Sequence, residues 1–177
     1  MKIKPFIGNI SFGHRVMYIA PAILMGKTRS SVIDVGCGDG YGYHTLVTND
    51  SVSTYFGIDS NPVAIKNGVD YLVSPDHSMV CGNWLIYPEK DLKPADFVFC
   101  IEVIEHVPDN VRKAFVEKCK RFMKRNLFLS TPPADRSSHG ALTIPECSAL
   151  IKSAGLDVVV VDIQWTTLYV CSSSKER

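Results

Sequence analysis

Residues 31–42 read S-V-I-D-V-G-C-G-D-G-Y-G, an apolar run that ends on an acid and then gives way to glycine at 36, 38, 40 and 42. A short apolar run bounded by glycines is a buried strand, and glycines so spaced let the following backbone turn sharply and approach a ligand closely. A strand, a glycine loop and a following helix are the opening unit of an α/β fold. Within it, Asp34 is the puzzle. A carboxylate stands just before a loop of the kind that often cradles phosphate, where a pyrophosphate would be repelled.

The rest of the chain repeats the alternation. Residues 13–25 read as an amphipathic helix interrupted near Pro21. Strands are expected at 31–35, 54–59, 78–83, 95–101 and 126–131, with helices after 43, after Pro62 and over 109–123. Ser60 or Asn61 can cap the second of these helices, with Pro62 fitting its first turn. In the third, Asp109 can cap, and Val111, Ala114, Phe115, Cys119 and Phe122 make one stripe. Thr143 with Glu146 reads as a capping box, and Gly155 as the glycine that ends that helix. The runs L-D-V-V-V-V-D-I and W-T-T-L-Y-V-C-S then follow too closely for a crossover helix, so they are expected to be antiparallel. The pattern implies a doubly wound, mostly parallel sheet of about seven strands with a reversed strand at its C-terminal end.

A length of 177 residues suits one domain, 1–177, with an N-terminal helical segment over 1–30 and a core over 31–171. The net charge of +1 gives no general field for nucleic acid or for an acidic membrane surface. The six cysteines fall without a C-x-x-C pair and in apolar runs, as reduced buried thiols do. No segment reaches the roughly 18 apolar residues of a membrane span, and no signal peptide is visible. A soluble, cytoplasmic protein is the expectation.

In open α/β sheets ligands bind beyond the carboxyl ends of the strands. The loop itself is not a dinucleotide fingerprint, because Tyr41 and Tyr43 stand where G-x-G-x-x-G needs glycine, and no G-K-[ST] follows. Asp34 instead favours a ligand with positive charge and no phosphate, such as S-adenosyl-L-methionine; the alternative is that it only hydrogen-bonds loop amides. Asp59 ends the second strand, where a carboxylate accepts from both ribose hydroxyls, or simply caps a helix. Asn83 offers an amide to an adenine edge. Trp84 either covers the adenine face or packs.

V-I-D-V-G-C-G-D-G, Y-F-G-I-D-S-N-P-V-A-I, V-C-G-N-W, A-D-F-V-F-C-I-E-V-I-E-H-V-P-D and L-F-L-S-T-P-P, in that order, resemble the successive motifs of class I S-adenosylmethionine-dependent methyltransferases. The resemblance covers roughly residues 31–171. It implies that Asp34, Gly36, Cys37 and Gly38 lie about the methionyl part of the cofactor, and that Asp59 with Ser60 holds the ribose. Asn83 falls where the family often has an acid reading the adenine amino group. Cys100 and Ile101 would line the pocket near the methionine.

The segment E-V-I-E-H-V-P-D, 102–109, is the chemically densest. Glu102, Glu105 and His106 are spaced so that one helical turn would bring them to a shared face. They are read first as a structural connection, then as a source of a general base in Glu102 or His106. The third reading is a divalent metal site completed by His139, similar to that of the methyltransferases that modify the 3′-terminal ribose of small RNAs. The balanced charge argues against nucleic acid, and the basic run 118–125 reads as the solvated, dipole-compensating end of a helix. The leading expectation is therefore a methyltransferase acting on a small-molecule acceptor that enters between the N-terminal helix and the loop at 131–142. Its rival is a non-catalytic cofactor-binding module or partner subunit.

Overall fold

The computed structural model describes residues 12–26, 28–133, 142–163 and 166–174. They fall into two compact units, Met1–Tyr87 and Pro88–Arg177. The first contains α1 (Phe12–Met25), β1 (Ser30–Val35), α2 (Tyr41–Thr48), β2 (Val52–Asp59), α3 (Pro62–Gly68) and β3 (His77–Cys81). The second contains β4 (Ala95–Ile101), α4 (Asp109–Phe122), β5 (Met123–Thr131), α5 (Ile144–Ser153), β6 (Leu156–Ile163) and β7 (Thr166–Ser173). The strands form a seven-stranded sheet in the order β3-β2-β1-β4-β5-β7-β6. Strand β7 runs antiparallel to both β5 and β6, and β4 parallel to β5.

In the first unit the three strands are parallel and finish together. Val35 pairs with Ile58, and Asp59 with Cys81. The ladder carries on past the strands, because the Gly36 amide donates to the Ile58 carbonyl and the Gly82 amide to the Asp59 carbonyl. Burial of Val32, Ile33 and Val35 on both faces explains the unbroken apolar run of β1. Helix α1 buries Met17, Tyr18, Pro21, Ala22 and Met25, a stripe at helical spacing. It continues through Pro21, where the sequence suggested an interruption. Asn61, rather than Ser60, caps α3 by accepting from the Val63 and Ala64 amides.

In the second unit α4 buries Phe115, Val116, Cys119 and Phe122; Ala114, expected in that stripe, is exposed. Burying each phenylalanine is worth about 1.5–3 kcal/mol. Asp109 does not cap α4. It lies in the first turn and pairs with Arg112 at 2.8 Å. The capping box of α5 is present, with the Thr143 amide donating to Glu146 at 2.8 Å. At the other end of α5, Lys120 of α4 donates to the carbonyls of Ala154 and Gly155. Part of the basic run at 118–125 therefore neutralises the negative end of a neighbouring helix.

Candidate functional site

The common finish of β1, β2 and β3 brings three chain segments together: the glycine loop, the start of α3 and the stretch after β3. Asp59 joins the first two. Its Oδ2 accepts from the Gly38 amide at 2.9 Å and its Oδ1 from the Asn61 amide at 2.8 Å. A carboxylate has about four lone-pair sites, so two bonds fix its orientation and leave two acceptor positions on a half-buried group. Gly38 has φ +54, and a Cβ built on it would meet nothing within 4 Å. The loop thus presents bare backbone to open space beside an oriented carboxylate.

Asp34 occupies a different layer. It is fully buried, and Tyr55 of β2 donates its hydroxyl to Oδ2 at 2.7 Å. Tyr18 of α1 donates to Oδ1 at 3.2 Å. Burial pushes the Asp34 carboxyl up to about 7, against the pull of the two hydroxyls, and the Asp59 charge adds to the rise. The side chain therefore binds tyrosines rather than loop amides, and α1 reaches this acid through Tyr18. Sequence reasoning missed both tyrosines, which lie 16 and 21 positions from Asp34.

Gly36 begins the loop through its bond to Ile58. The Cys37 side chain is buried and lies so close to Gly57 that a Cβ there would approach its sulfur to 2.8 Å. Burial, with the nearby Asp34 and Asp59 charges, raises its thiol far above the usual cysteine range, as for a structural cysteine. Ser60 is exposed, and its carbonyl accepts from the Cys81 thiol. Asn83 is exposed and turns its Oδ1 onto the Leu85 amide at 2.9 Å, which leaves its NH2 outward as a donor. Trp84 is 4% exposed, which places it as packing rather than as an open adenine platform.

The second unit holds the other candidates. Cys100 and Ile101 end β4 with buried side chains. Glu102 follows with φ 55, a left-handed conformation that a non-glycine residue adopts only where its surroundings compel it. The cause is visible. Its amide donates to Ser130 Oγ at 3.0 Å, while that hydroxyl donates back to Glu102 Oε1 at 2.8 Å. Thr166 of β7 donates to the same oxygen at 2.8 Å. Glu102 is thus a partly exposed carboxylate gripped from inside by two buried hydroxyls.

Glu102, Glu105 and His106 do not share a helical face. The left-handed turn at Glu102 sets it apart from the single turn Ile104–His106, within which Glu105 is buried and His106 exposed. His106 Nε2 lies 4.0 Å from Glu105 Oε1. Burial raises the Glu105 carboxyl to about 7, the Glu102 charge adding to the rise and Arg112 opposing it. Arg112, itself buried, donates to the carbonyls of Val107 at 2.8 Å and Glu105 at 3.3 Å and so ties the connection to α4. His139, proposed as the fourth metal ligand, lies outside the described residues. Among the described residues, no group of three or more His, Cys, Asp or Glu side chains is placed to hold a metal ion, and no helix is long and apolar enough to cross a membrane.

Residues 11–163 match the methyltransferase domain family, a span that includes every described candidate. A ubiquinone biosynthesis O-methyltransferase of Pasteurella multocida (strain Pm70) is 28% identical over 128 residues, 66% of this chain and 52% of that protein. The chain spans about half the length of the curated relatives it matches. Among solved structures, the methyltransferase domain of bacterial CtHen1-C aligns with a TM-score of 0.78 at 21% identity, over 93% of this chain and 100% of that one. Magnesium protoporphyrin IX methyltransferase from Synechocystis PCC 6803, with S-adenosylmethionine bound, aligns at 0.72 and 14% identity, over 96% and 87%. The chain belongs to the class I S-adenosylmethionine-dependent methyltransferases.

Proposed function

We propose that this chain transfers a methyl group from S-adenosylmethionine to an oxygen of a small-molecule acceptor. The observation that carries the cofactor assignment is the Asp59–Gly38 bond, which fixes a carboxylate with two spare acceptor positions beside open backbone. Asp59 would hold the ribose hydroxyls. The NH2 of Asn83 would donate to a ring nitrogen of adenine, in place of an acid accepting from the adenine amino group. Asp34 would act through the loop by its charge, since its side chain is occupied by tyrosines. When bound, S-adenosylmethionine supplies an electrophilic methyl group on a sulfonium centre.

For the acceptor, Glu102 is the favoured base. Ser130 and Thr166 donate to Oε1 and leave Oε2 to accept a proton from the attacking hydroxyl. His106 is exposed and remains the second candidate. An oxygen acceptor is supported by the name of the curated relatives, ubiquinone biosynthesis O-methyltransferases. The matched span, 11–163, includes parts of both compact units, which supports reading them as one methyltransferase domain. The test is turnover. S-adenosylhomocysteine should form when S-adenosylmethionine is supplied with a panel of phenols and catechols, and should fall at least tenfold in Glu102→Gln with cofactor affinity kept. Cofactor binding without turnover of any small acceptor would favour the non-catalytic partner subunit instead.

A further inference from the structure

Two tyrosines converge on one buried acid behind the glycine loop, and neither belongs to the loop. Tyr55 comes from the middle of β2 and Tyr18 from α1. Between them they address both oxygens of Asp34, at 2.7 Å to Oδ2 and 3.2 Å to Oδ1. Space for the tyrosine from α1 is made by a missing side chain. A Cβ on Gly42 of α2 would stand 2.2 Å from the Tyr18 ring and 2.8 Å from Asp34 Oδ2. The fourth glycine of the series therefore admits Tyr18 to the acid.

We infer that Tyr18 and Tyr55 are positioning residues for the cofactor: they hold the Asp34 carboxyl behind the glycine loop so that binding of the cationic ligand expels a proton from it. The inference rests on the assignment of S-adenosylmethionine to this loop. Among the described residues of the first unit, the titratable groups facing Asp34 are Tyr18 from α1, Tyr55 and Asp59 from β2, and Cys37 from the loop; α2 approaches through Gly42. Tyr18 and Tyr55 are neutral donors and Asp59 is a like charge, so none of these described groups compensates a full negative charge on Asp34. Ligand binding breaks the carboxyl O–H bond, the proton passes to the buffer, and the carboxylate keeps both tyrosine hydroxyls as donors. Because burial sets the Asp34 carboxyl at about 7, the coupling operates near neutrality.

The sign is fixed. The ligand-free protein must give up a proton in order to bind, so affinity rises with pH up to the Asp34 titration and levels off above it. The α-amino group of the ligand gives the opposite trend, since it loses its own charge only near about pH 8. A hydroxyl that donates to a carboxylate favours the charged form. Removing one must therefore move the Asp34 titration to higher pH.

The experiment is calorimetric titration of the intact chain with S-adenosylmethionine and with S-adenosylhomocysteine, in buffers of different ionisation enthalpy, from about pH 5.5 to 7.5. Wild-type protein should bind about tenfold more tightly at the upper pH and release about one proton near pH 6. Tyr18→Phe and Tyr55→Phe should keep the ring packing and shift the affinity midpoint upward, Tyr55→Phe by more. Asp34→Asn should flatten the profile. Affinity that does not change with pH, with no proton released, overturns the inference and leaves the cofactor assignment standing. Tyrosine variants with an unshifted midpoint also overturn it. Binding of neither ligand at any pH overturns both.

Discussion

The Gly38 amide donates to the Asp59 carboxylate across 21 positions of sequence, at 2.9 Å. One residue thereby sets the distance between the glycine loop and the end of β2 before any ligand arrives. Replacing Asp59 by Ala removes the proposed ribose acceptor together with the bonds to the Gly38 and Asn61 amides. Affinity for S-adenosylhomocysteine should fall ten- to a hundred-fold, about 1–3 kcal/mol. Asp59→Asn, which keeps one oxygen, should fall between. Calorimetry decides it, and unchanged affinity in Asp59→Ala rules out the ribose role.

Gly42 tests the packing beneath the loop. An added methyl group would overlap the Tyr18 ring, so Gly42→Ala should destabilise the protein by about 1–3 kcal/mol. The loss should show in urea unfolding. In Gly42→Ala combined with Tyr18→Ala, where the ring is gone, most of that cost should disappear. A double variant that loses the sum of both single effects contradicts the contact.

Glu105 gives a pH-dependent stability. Its folded carboxyl keeps its proton up to about 7, whereas an unfolded one releases it near 4.5. The group's stabilising contribution is therefore complete below the unfolded value and lost as pH rises towards 7. Asp34 acts in the same direction; His77, lowered mainly by burial, acts in the opposite one. Glu105→Gln stays neutral throughout. Relative to wild type, it should gain on the order of 1–3 kcal/mol between pH 5 and pH 8. Parallel unfolding curves at both pH values would show that Glu105 is not buried as an acid.

Ser130 and Glu102 are partners through space alone, 28 residues apart. Ser130→Ala removes a donor from the carboxylate and the acceptor that holds the left-handed amide. Turnover should fall about tenfold, since the carboxylate loses one of its two hydroxyl donors. Chelator should have no effect, because Glu102, Glu105 and His106 face different surroundings. Metal-dependent turnover that is lost in Glu105→Ala would restore the metal reading of this segment.

The strand–helix alternation was legible because each element carries its own period, cap or glycine. The capping box at Thr143–Glu146 and the φ +73 turn at Gly155 are local features written in adjacent residues. Asp59 was legible because strand ends are marked by where the apolar run stops. The partners of Asp34 and Glu102 were not. Tyr18, Tyr55, Ser130 and Thr166 lie far along the chain and inside ordinary apolar patterns, where a hydroxyl leaves no periodic mark. The i, i+3, i+4 spacing at 102–106 misled for a related reason: it presumes a helix, and the Ser130 hydroxyl holds Glu102 in a conformation that breaks it. Likewise Ala114 fits the apolar stripe of α4 by spacing, yet the side chains that fill that face include Arg112 and Lys118.

The most direct test of the account is calorimetric titration of the wild-type chain with S-adenosylhomocysteine beside NAD under the same conditions. The glycine loop, the Asp59 carboxylate and the absence of G-x-G-x-x-G predict one S-adenosylhomocysteine bound per chain and no heat from NAD at millimolar concentration. Saturable binding of NAD with none of S-adenosylhomocysteine would contradict it.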